Sequence, residues 1–362
     1  MIRALTSRWT VFIPLLAAIA LAATWGRSLP GIGVVAVGAA LVGAVLAAVH
    51  HAEIVAHRVG QPLGSLVLAI AVTVIEVGLI ITMAVASGEK YASLARDTVF
   101  AAVMITCNGI FGLALLVGAV RRRVAVFNAE GTGAALGTVA TLSTLSLVLP
   151  TFTTSKPGPE FSAAQLVFAA VASLSLYALF VTVQTVRHPD DFLPVEEPAD
   201  GAAAEHGKRP AVRASLLSLA MMVVALVAVI GLAKVVSPSI ESAVASAGLP
   251  QSAVGVVIAL LVLLPETLAA VRAARRDQVQ ISLNLALGSA MASIGLTIPA
   301  IAVATIWLDG PLVLGLGATQ MVLLALTVVV GALTVVPGRA TLLQGGLHMA
   351  LFSAFVFLAA SP

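Results

Sequence analysis

The sequence predicts an all-α polytopic membrane protein with about eleven transmembrane helices. Only 10% of its 362 residues are charged and 60% are apolar, whereas a soluble domain carries about 25% charged residues. Apolar runs of about 17 or more residues recur along the whole chain, as bilayer-spanning helices require. The segments between these runs are mostly short and are marked by glycine, proline or charge. Together these observations exclude a soluble globular fold.

Eleven apolar segments can be placed in order along the chain. The predicted spans are residues 9–25, 31–49, 63–86, 97–119, 133–150, 162–185, 214–236, 251–271, 281–306, 311–335 and 342–360. The first span has a second interpretation, because its basic flank and the Ala20-Leu21-Ala22 pattern also resemble a signal peptide. Trp9 and Trp25 bracket this run as interfacial anchors do, which favours a helix.

The distribution of basic residues predicts the orientation of the chain. With the amino terminus inside and the spans alternating, most of the 19 lysines and arginines fall in inner segments, as they do in the cytoplasmic loops of membrane proteins. We therefore expect a multi-pass protein of the cytoplasmic (inner) membrane, with a cytoplasmic N-terminus and an extracytoplasmic C-terminus. The lipid bilayer is its expected surroundings. The formal charge of +3 gives no reason to expect a nucleic-acid partner.

An odd number of spans divided by one polar stretch predicts an internal repeat. Residues 187–213 are polar, proline-rich and mixed in charge, which is typical of a flexible linker. We predict a leading transmembrane helix at 1–28, a first five-helix repeat at 29–186, a cytoplasmic linker at 187–213 and a second five-helix repeat at 214–362. Repeats with an odd number of helices insert in opposite orientations, which is the inverted-repeat plan of many secondary transporters.

The residues that are missing exclude several chemistries. The single cysteine, Cys107, lies in an apolar run and rules out an internal disulfide or a multi-cysteine metal site. No Walker loop, GxSxG, HExxH or CxxC motif occurs. No aspartate is evident inside a span, His348 stands alone there, and the polar segments are too short for a soluble catalytic domain. We therefore expect neither an enzyme nor a bound cofactor.

Glu76 is an acidic residue near the middle of the third predicted span. A charge at that depth costs about 2.5–3.5 kcal/mol on insertion scales. Thr73, three residues earlier, lies on the same helical face. A protonated glutamate that merely packs against a neighbouring helix would also fit, but acids inside membranes are functional by default. The sequence therefore favours Glu76 as a cation-binding or proton-binding residue.

Glu266 occupies the corresponding place in the second half. Each half opens with glycine and proline, runs apolar and reaches one glutamate in its second helix. Pro265 removes a backbone donor and frees a carbonyl one turn earlier, and the broken helices of transporters present such carbonyls to ions. Arg272 follows only six residues later, so an interfacial glutamate that pairs with an arginine stays an alternative.

Polar and small side chains follow each glutamate in the next helix of its half. Thr106 and Asn108 lie at mid-membrane depth in the first half. In the second half the polar side chains are Ser282, Asn284, Ser289 and Ser293, and three of these, the serines, share one helical face. The small residues predicted to allow close helix contact are Gly288, Ala292 and Gly295. Each half therefore has an acid followed by a polar helix in the same place, and this pattern predicts a cation-binding or proton-binding site.

A pair of intramembrane carboxylates has a defined chemistry. The empty, ionised form is too costly to reorient in a low dielectric, whereas two protons or one divalent cation neutralise it. Only the loaded forms then cross, which is obligate exchange. Oxygen ligands from Glu76, Glu266, amides, hydroxyls and freed carbonyls suit a hard cation such as Ca²⁺. The predicted partners are therefore inorganic cations (Ca²⁺, Na⁺ or K⁺) and protons, carried as substrates.

These residues resemble a known family. The stretches "GSLVLAIAVTVIEVGLI" with "CNGIFGLALLVG", and "LPETLAAVRAARRDQVQISLNLALGSAMASIGLTIPA", resemble the two alpha repeats of the cation/proton exchanger branch of the calcium/cation antiporter superfamily. "HHAEIVAHRVGQPLGSLVLAIAVTVIEVGLI" and "QTVRHPDDFLP" are similar to bacterial calcium/proton antiporters that also exchange sodium or potassium. The resemblance spans nearly the whole chain and implies a membrane antiporter in which one glutamate per repeat binds cation or proton.

The resemblance assigns residues, with two departures. The family's two glutamates correspond to Glu76 and Glu266, its asparagine to Asn108, and its Gly-Ser pair to Gly288 and Ser289. The asparagine that usually stands two residues before each acid is absent here, and the glutamine expected after the Gly-Ser pair is replaced. Fewer side-chain oxygens favour exchange of monovalent cations beside Ca²⁺.

Some alternatives stay open. A cation channel, or an uncoupled carrier without proton exchange, would use the same carboxylates but move cations without protons. His50, His51 and His57 cluster at the inner end of the second span, where a solvated helix end is favoured over a metal or pH-sensing site. His348 lies in the last span without an evident role. The sequence does not predict an oligomeric state.

Overall fold

The computed structural model describes residues 9–27, 29–60, 63–87, 92–195, 210–250, 252–307 and 310–362. The described chain is largely α-helical. Its α-helices are α1 Trp9–Thr24, α2 Gly31–Val59, α3 Leu63–Ser87, α4 Leu94–Met104, α5 Phe111–Arg122, α6 Ala129–Ser143, α7 Ala163–Thr182, α8 Val212–Ser246, α9 Ser252–Val262, α10 Leu264–Arg275, α11 Val279–Ala304, α12 Ala318–Val335 and α13 Leu342–Ala360.

Short irregular elements connect or extend these helices. The π-helical segment Ile105–Ile110 joins α4 to α5, so that residues 94–122 form one span. The other short helical segments are Thr144–Val148, Leu149–Thr151, Val183–Arg187 and Pro189–Phe192. In the described part of the chain, two short strands, β1 (Ala125–Val126) and β2 (Arg339–Ala340), pair antiparallel.

The helices confirm a polytopic membrane fold. Nine described helices are long and apolar enough to cross a membrane, and the bent pair α9–α10 makes a tenth if it is one span. The remaining predicted span is α1, which is apolar but has only 16 residues, fewer than the roughly 17–25 that a transmembrane helix needs. The count of eleven spans therefore stays a prediction.

The chain forms two compact units, each of which takes residues from both halves of the sequence. The first unit comprises positions up to 88 and from 207 to 254, and the second comprises 89–206 and 255–362. These boundaries group residues by contact and leave the predicted inverted repeat untested.

The first unit packs α1, α2, α3 and α8 against one another. Small residues allow the helices to approach closely. A Cβ atom at Gly231 of α8 would lie 2.5 Å from the Leu21 side chain of α1, and one at Gly78 of α3 would lie 2.6 Å from Ile230. Both distances are shorter than van der Waals contact, so glycine at these positions determines how near the helices lie.

The second unit is built around the span 94–122, which is almost entirely buried. Helices α10, α11 and α13 pack against it, α11 also contacts α6 and α7, and α12 contacts α13. A Cβ atom at Gly112 of α5 would lie 2.8 Å from the Cβ atom of His348 in α13. This close contact brings α13 against α5 and the π-helical segment, so that the polar side chains of Asn108 and His348 lie in one buried layer.

The first part of the predicted linker differs from the flexible chain that its composition indicates. Residues 188–195 are ordered, and Phe192 is buried against Phe180 of α7, with ring centroids 5.6 Å apart. A Cβ atom at Gly131 of α6 would meet the Asp191 carbonyl. One apolar side chain thus anchors the start of an otherwise polar segment. Residues 196–209 lie outside the described residues.

Candidate functional site

Glu76 lies in the middle of α3, in the first unit, and is only 3% exposed. Thr73, one turn earlier, is also buried, whereas Val74 between them is 40% exposed. The buried positions Val72, Ile75 and Leu79 continue the same side of the helix. The carboxylate therefore lies on the buried face of a membrane span, where an ionised acid must be neutralised or coordinated.

Glu266 lies where a span is broken. Helix α9 ends at Val262, α10 begins at Leu264, and the two helices are bent by 53°. Pro265 has no N–H to offer the Leu261 carbonyl one turn earlier. Glu266 is partly buried in the first turn of α10, where the helix macrodipole favours a negative charge. The break expected from the proline is therefore present, and the carboxylate lies beside it.

Asn108 is completely buried in the π-helical segment Ile105–Ile110 of the second unit. Its Nδ2 donates a hydrogen bond of 2.8 Å to the Thr327 hydroxyl of α12, and its Oδ1 lies 3.2 Å from Nδ1 of His348 in α13. π-Helical turns inside α-helices occur frequently at functional sites. Here the turn carries the amide that the resemblance assigns to cation binding.

His348, for which the sequence offers no role, is a partner of Asn108. The imidazole is buried, its ring centroid lies 4.9 Å from that of Phe111, and its Nε2 lies 3.3 Å from the Thr334 hydroxyl. A lone histidine in an apolar run must find polar partners when it is buried. That rule indicated a network, but the sequence pattern alone did not identify its members.

The polar residues of α11 divide between packed and open environments. Ser293 is buried and Ser289 is partly buried. Nothing in the described chain lies within 4 Å of a Cβ atom built on Gly288, whereas one on Gly295 would lie 2.7 Å from the Tyr177 Cβ atom of α7. The prediction of close helix contact along the small residues is therefore correct at Gly295 and wrong at Gly288. Among the described residues, open space adjoins Gly288 instead.

Asn284 lies one turn into α11 and connects it to the ordered start of the predicted linker. Its Nδ2 donates to the Phe192 carbonyl over 2.6 Å, and its Oδ1 accepts from Gln280 Nε2 over 2.9 Å. Gln280 also lines a cavity of about 190 Å³ with Arg122 and Asp277, which none of the predicted site residues line. Asn284 therefore supports the position of α11 through a structural contact.

The second unit brings several predicted site residues onto neighbouring elements. The π-helical segment that carries Asn108 packs against both α10, which carries Glu266 and Pro265, and α11, which carries Ser289. Oxygen atoms from a carboxylate, an amide and a hydroxyl are the ligands that hard cations take. Glu76 and Thr73 belong to the first unit.

His50 and His51 of α2 are less exposed than the predicted solvated helix end would make them. His51 is only 2% exposed, and its Nε2 donates to the Thr10 carbonyl of α1 over 2.9 Å. His50 is partly exposed and lies 3.9 Å from Glu53. In the described part of the chain, no three His, Cys, Asp or Glu side chains come together as a metal site. The prediction was wrong for His51 because α1 covers it.

Asp97 is a buried acid that the sequence reading missed. It accepts hydrogen bonds of 2.8 Å from the Ser93 hydroxyl and from Arg96 Nε, and Gln320 Nε2 lies 3.4 Å away. It lies in the first turn of α4, at the start of the span. The adjacent Arg96 was the available signal, because an acid beside a base at a span end can form a buried ion pair.

Sequence comparison finds a matching protein family and relatives that extend over nearly the whole chain. The family model described as "Sodium/calcium exchanger protein" matches residues 29–186 and 217–360. The chain is 46% identical to y4hA of Sinorhizobium fredii (strain NBRC 101917 / NGR234), whose name marks it as a candidate ionic transporter, over 98% of this chain and 96% of that protein. It is 33% identical to the sodium-potassium/proton antiporter ChaA of Escherichia coli (strain K12), over 96% of this chain and 94% of ChaA.

Solved structures share the fold at lower sequence identity. The crystal structure of the H⁺/Ca²⁺ exchanger CAX superposes with a TM-score of 0.70 at 15% identity, covering 97% of this chain and 91% of that chain. At that level of identity the similarity concerns the arrangement of the helices. The comparisons of sequence and of structure thus extend over nearly the full length of the chain.

Proposed function

Because the chain belongs to the sodium/calcium exchanger protein family, we propose that it is a secondary active cation/proton antiporter. It is a multi-pass membrane protein and an ion exchanger, not an enzyme. In our proposal it exports Ca²⁺, and also Na⁺ or K⁺, in exchange for protons by alternating access. The observation that carries the proposal is a buried acid, Glu76, within a span.

The proposed mechanism follows from the cost of a carboxylate inside the membrane. An ionised Glu76 without a counter-ion is unfavourable at that depth, and the same holds for Glu266 as it leaves water. A proton or a bound cation removes the charge, so the two ligands compete for the same oxygens. A protein that reorients only in its neutralised forms exchanges one ligand for the other and does not leak either.

The other proposed ligands are neutral oxygens. Asn108 lies on the π-helical segment and Ser289 lies on α11, and both elements pack against α10. The Leu261 carbonyl lacks a helical donor because residue 265 is proline. Supporting roles fall to Thr73, Pro265, Asn284, Gly288 and Ser293, which shape the helices around these oxygens. Ca²⁺ takes 6–8 oxygens, so water would complete its shell.

The choice of cation rests on the relatives and on the ligand set. ChaA is named for sodium, potassium and protons, and this chain lacks an asparagine two residues before either glutamate. A site with fewer fixed oxygens discriminates less strongly for Ca²⁺. We therefore propose that Na⁺ or K⁺ is a substrate beside Ca²⁺.

The proposed placement in the cell follows from the charge distribution. The basic inner segments indicate the cytoplasmic (inner) membrane with the N-terminus in the cytoplasm and the C-terminus outside. The two segments that the family model matches, 29–186 and 217–360, support a duplicated architecture. In our proposal the two five-helix repeats are inverted and follow a leading helix.

Everted membrane vesicles carrying a pH-sensitive dye test the proposal. CaCl₂, NaCl and KCl are added in turn to energised vesicles that contain the wild type, Glu76→Gln or Glu266→Gln. We expect at least one cation to dissipate the pH gradient in the wild type and both glutamine variants to abolish the response. Glu130→Gln is the matched control, because Glu130 is exposed at the start of α6 and we expect it to retain exchange.

Each other outcome contradicts a named part of the proposal. Cation flux without proton release would identify a channel or an uncoupled carrier. Full exchange in Glu266→Gln would make Glu266 an interfacial residue and limit the site to Glu76. No response of the folded wild type to any of the three cations would overturn the antiporter function.

A further inference from the structure

A closed polar cluster lies in the second unit among apolar side chains. Its members are Asn108 of the π-helical segment, Thr327 and Thr334 of α12, and His348 of α13, and all four are at most 1% exposed. Buried polar groups are costly unless they are hydrogen-bonded. A histidine buried here needs hydrogen-bond partners at both ring nitrogens, and the cluster supplies them.

The hydrogen bonds of the cluster determine which way the Asn108 amide points and which nitrogen of His348 carries the proton. The Thr327 hydroxyl donates to the Leu323 carbonyl over 2.8 Å, so its oxygen is an acceptor for Asn108 Nδ2. The amide oxygen of Asn108 therefore faces His348. Because a carbonyl oxygen only accepts, the proton of the neutral imidazole lies on Nδ1. Nε2 is then the acceptor for the Thr334 hydroxyl at 3.3 Å.

This arrangement holds the Asn108 side chain at both ends. Rotation of the amide would break the bond from Nδ2 to Thr327 and the bond from His348 to Oδ1. An amide oxygen has two lone pairs, and His348 uses one of them. In the described part of the chain no other donor bonds to Oδ1, so the second lone pair is the one that would face a cation, and the two bonds that hold the amide determine its direction.

The imidazole itself has little freedom to move. Phe111 stacks at a tilted angle with centroids 4.9 Å apart, and a Cβ atom at Gly112 would lie 2.8 Å from the His348 Cβ atom. The surrounding helices thus hold the ring in place, and the ring holds the amide.

We propose that His348 and Thr327 are positioning residues that orient the Asn108 amide oxygen for cation binding. The inference rests on the proposed function, because it assumes that Asn108 is a ligand of the transported cation. Neither residue touches the cation. Both act by fixing the direction of one lone pair of the Asn108 amide oxygen toward the cation and by holding the amide nitrogen away from it.

Two substitutions of His348 separate the two ends of the imidazole. In His348→Asn the side-chain nitrogen reaches the place of Nδ1, so a donor to Asn108 is retained and the contact with Thr334 is lost. In His348→Gln the amide reaches the place of Nε2, so the contact with Thr334 is retained and the donor to Asn108 is lost. Both variants remove the imidazole and leave a neutral amide.

The measurement is the half-saturating concentration of CaCl₂, NaCl and KCl in the vesicle assay, together with the maximal rate. We expect His348→Gln to raise the half-saturating concentration about tenfold, the effect of losing one hydrogen bond. We expect His348→Asn to stay within about twofold of the wild type, because the bond to Asn108 is rebuilt. A role in packing alone would lower the maximal rate or the yield of both variants equally.

A second pair of variants decides the question if the His348 variants do not fold. Thr327→Ser retains the hydroxyl that accepts from Asn108, whereas Thr327→Val removes it at nearly constant volume. We expect Thr327→Val to raise the half-saturating concentration about tenfold and Thr327→Ser to leave it unchanged. Equal half-saturation within the folded pair overturns the positioning role. A folded wild type that responds to no cation overturns the proposed function, and the positioning role with it.

Discussion

His51 of α2 donates a hydrogen bond of 2.9 Å from Nε2 to the backbone carbonyl of Thr10 in α1. That carbonyl would normally accept from the N–H of residue 14, one turn later in the helix. Residue 14 is proline and has no N–H. The histidine therefore replaces the donor that the proline removes, and it ties the first helix to the second at a buried point.

Replacement of His51 by leucine is expected to destabilise the protein by about 1–3 kcal/mol, because a buried carbonyl would lose its donor. The change keeps an apolar side chain in the space that the ring occupies. Thermal unfolding of the purified protein in detergent measures the effect as a lower apparent melting temperature.

The same measurement in a Pro14→Ala background provides the control. Alanine restores the N–H of residue 14, so the Thr10 carbonyl can be satisfied within α1 without His51. We expect the cost of His51→Leu to fall in that background, which a double-mutant cycle measures as a coupling energy. An equal cost in both backgrounds would show that His51 contributes through packing and not through the carbonyl.

Local sequence patterns predicted the helices well because each span is long and apolar. The break beside Glu266 was also predictable, since Pro265 cannot donate to the preceding turn. Such signals lie within one helix and need no knowledge of its neighbours. For that reason the class of fold, the positions of the spans and the bent helix could be anticipated from the sequence.

Contacts between distant helices were not predictable in this way. Asn108 and His348 are separated by 240 positions in the chain, and Thr10 and His51 by 41. Nothing in the local pattern of either partner specifies the other. The sequence did indicate which groups need a partner, such as the Thr10 carbonyl, which has no helical donor because residue 14 is proline. The structure identifies His51 as the side chain that donates to it.

Two glycines of α11 offer a matched test of helix contact. A methyl group at Gly295 would overlap the Tyr177 side chain of α7, whereas a methyl group at Gly288 would enter open space. We expect Gly295→Ala to destabilise the fold by about 1–3 kcal/mol. We expect Gly288→Ala to be neutral or slightly stabilising, because alanine favours helix over glycine. Thermal unfolding compares the two variants directly.

A transport measurement on the same pair separates packing from the proposed site. If the space beside Gly288 belongs to the cation path, Gly288→Ala lowers cation-driven proton release while its melting temperature is unchanged. Equal loss of stability in both variants would contradict the close contact at Gly295 and the open space at Gly288. Full transport by Gly288→Ala would place the path elsewhere.

The buried ion pair of Asp97 and Arg96 is expected to matter for stability. The two side chains are 5% and 18% exposed, and their closest atoms are 2.8 Å apart. Asp97→Asn leaves a largely buried guanidinium without its counter-charge, which typically costs roughly 3–5 kcal/mol. Unfolding in detergent at increasing temperature checks this cost.

The more exposed pair of Arg121 and Asp277 is the control for Asp97. These side chains are 50% and 27% exposed and lie 3.3 Å apart. Asn tolerates the positive φ of 61° at position 277, so Asp277→Asn removes the charge without new backbone strain. We expect it to cost less than about 1 kcal/mol. A similar cost for both variants would mean that burial does not distinguish the two pairs.

Asn284 is expected to act on the ordered start of the linker and not directly on the cation. Its Nδ2 donates to the Phe192 carbonyl over 2.6 Å, and Phe192 is buried against Phe180. Loss of that bond in Asn284→Ala lowers the free energy of opening, so hydrogen exchange at the backbone amides of residues 190–193 should become about tenfold faster. Phe192→Ala should accelerate exchange in the same residues through the loss of the aromatic contact.

The cation response of Asn284→Ala distinguishes the two roles of this residue. We expect the half-saturating cation concentration to stay near that of the wild type, because the amide is already engaged by Phe192 and Gln280. Unchanged hydrogen exchange together with a weakened cation response would show the opposite. Asn284 would then be a ligand whose contact with Phe192 is incidental, and the site would extend one turn further toward the start of α11.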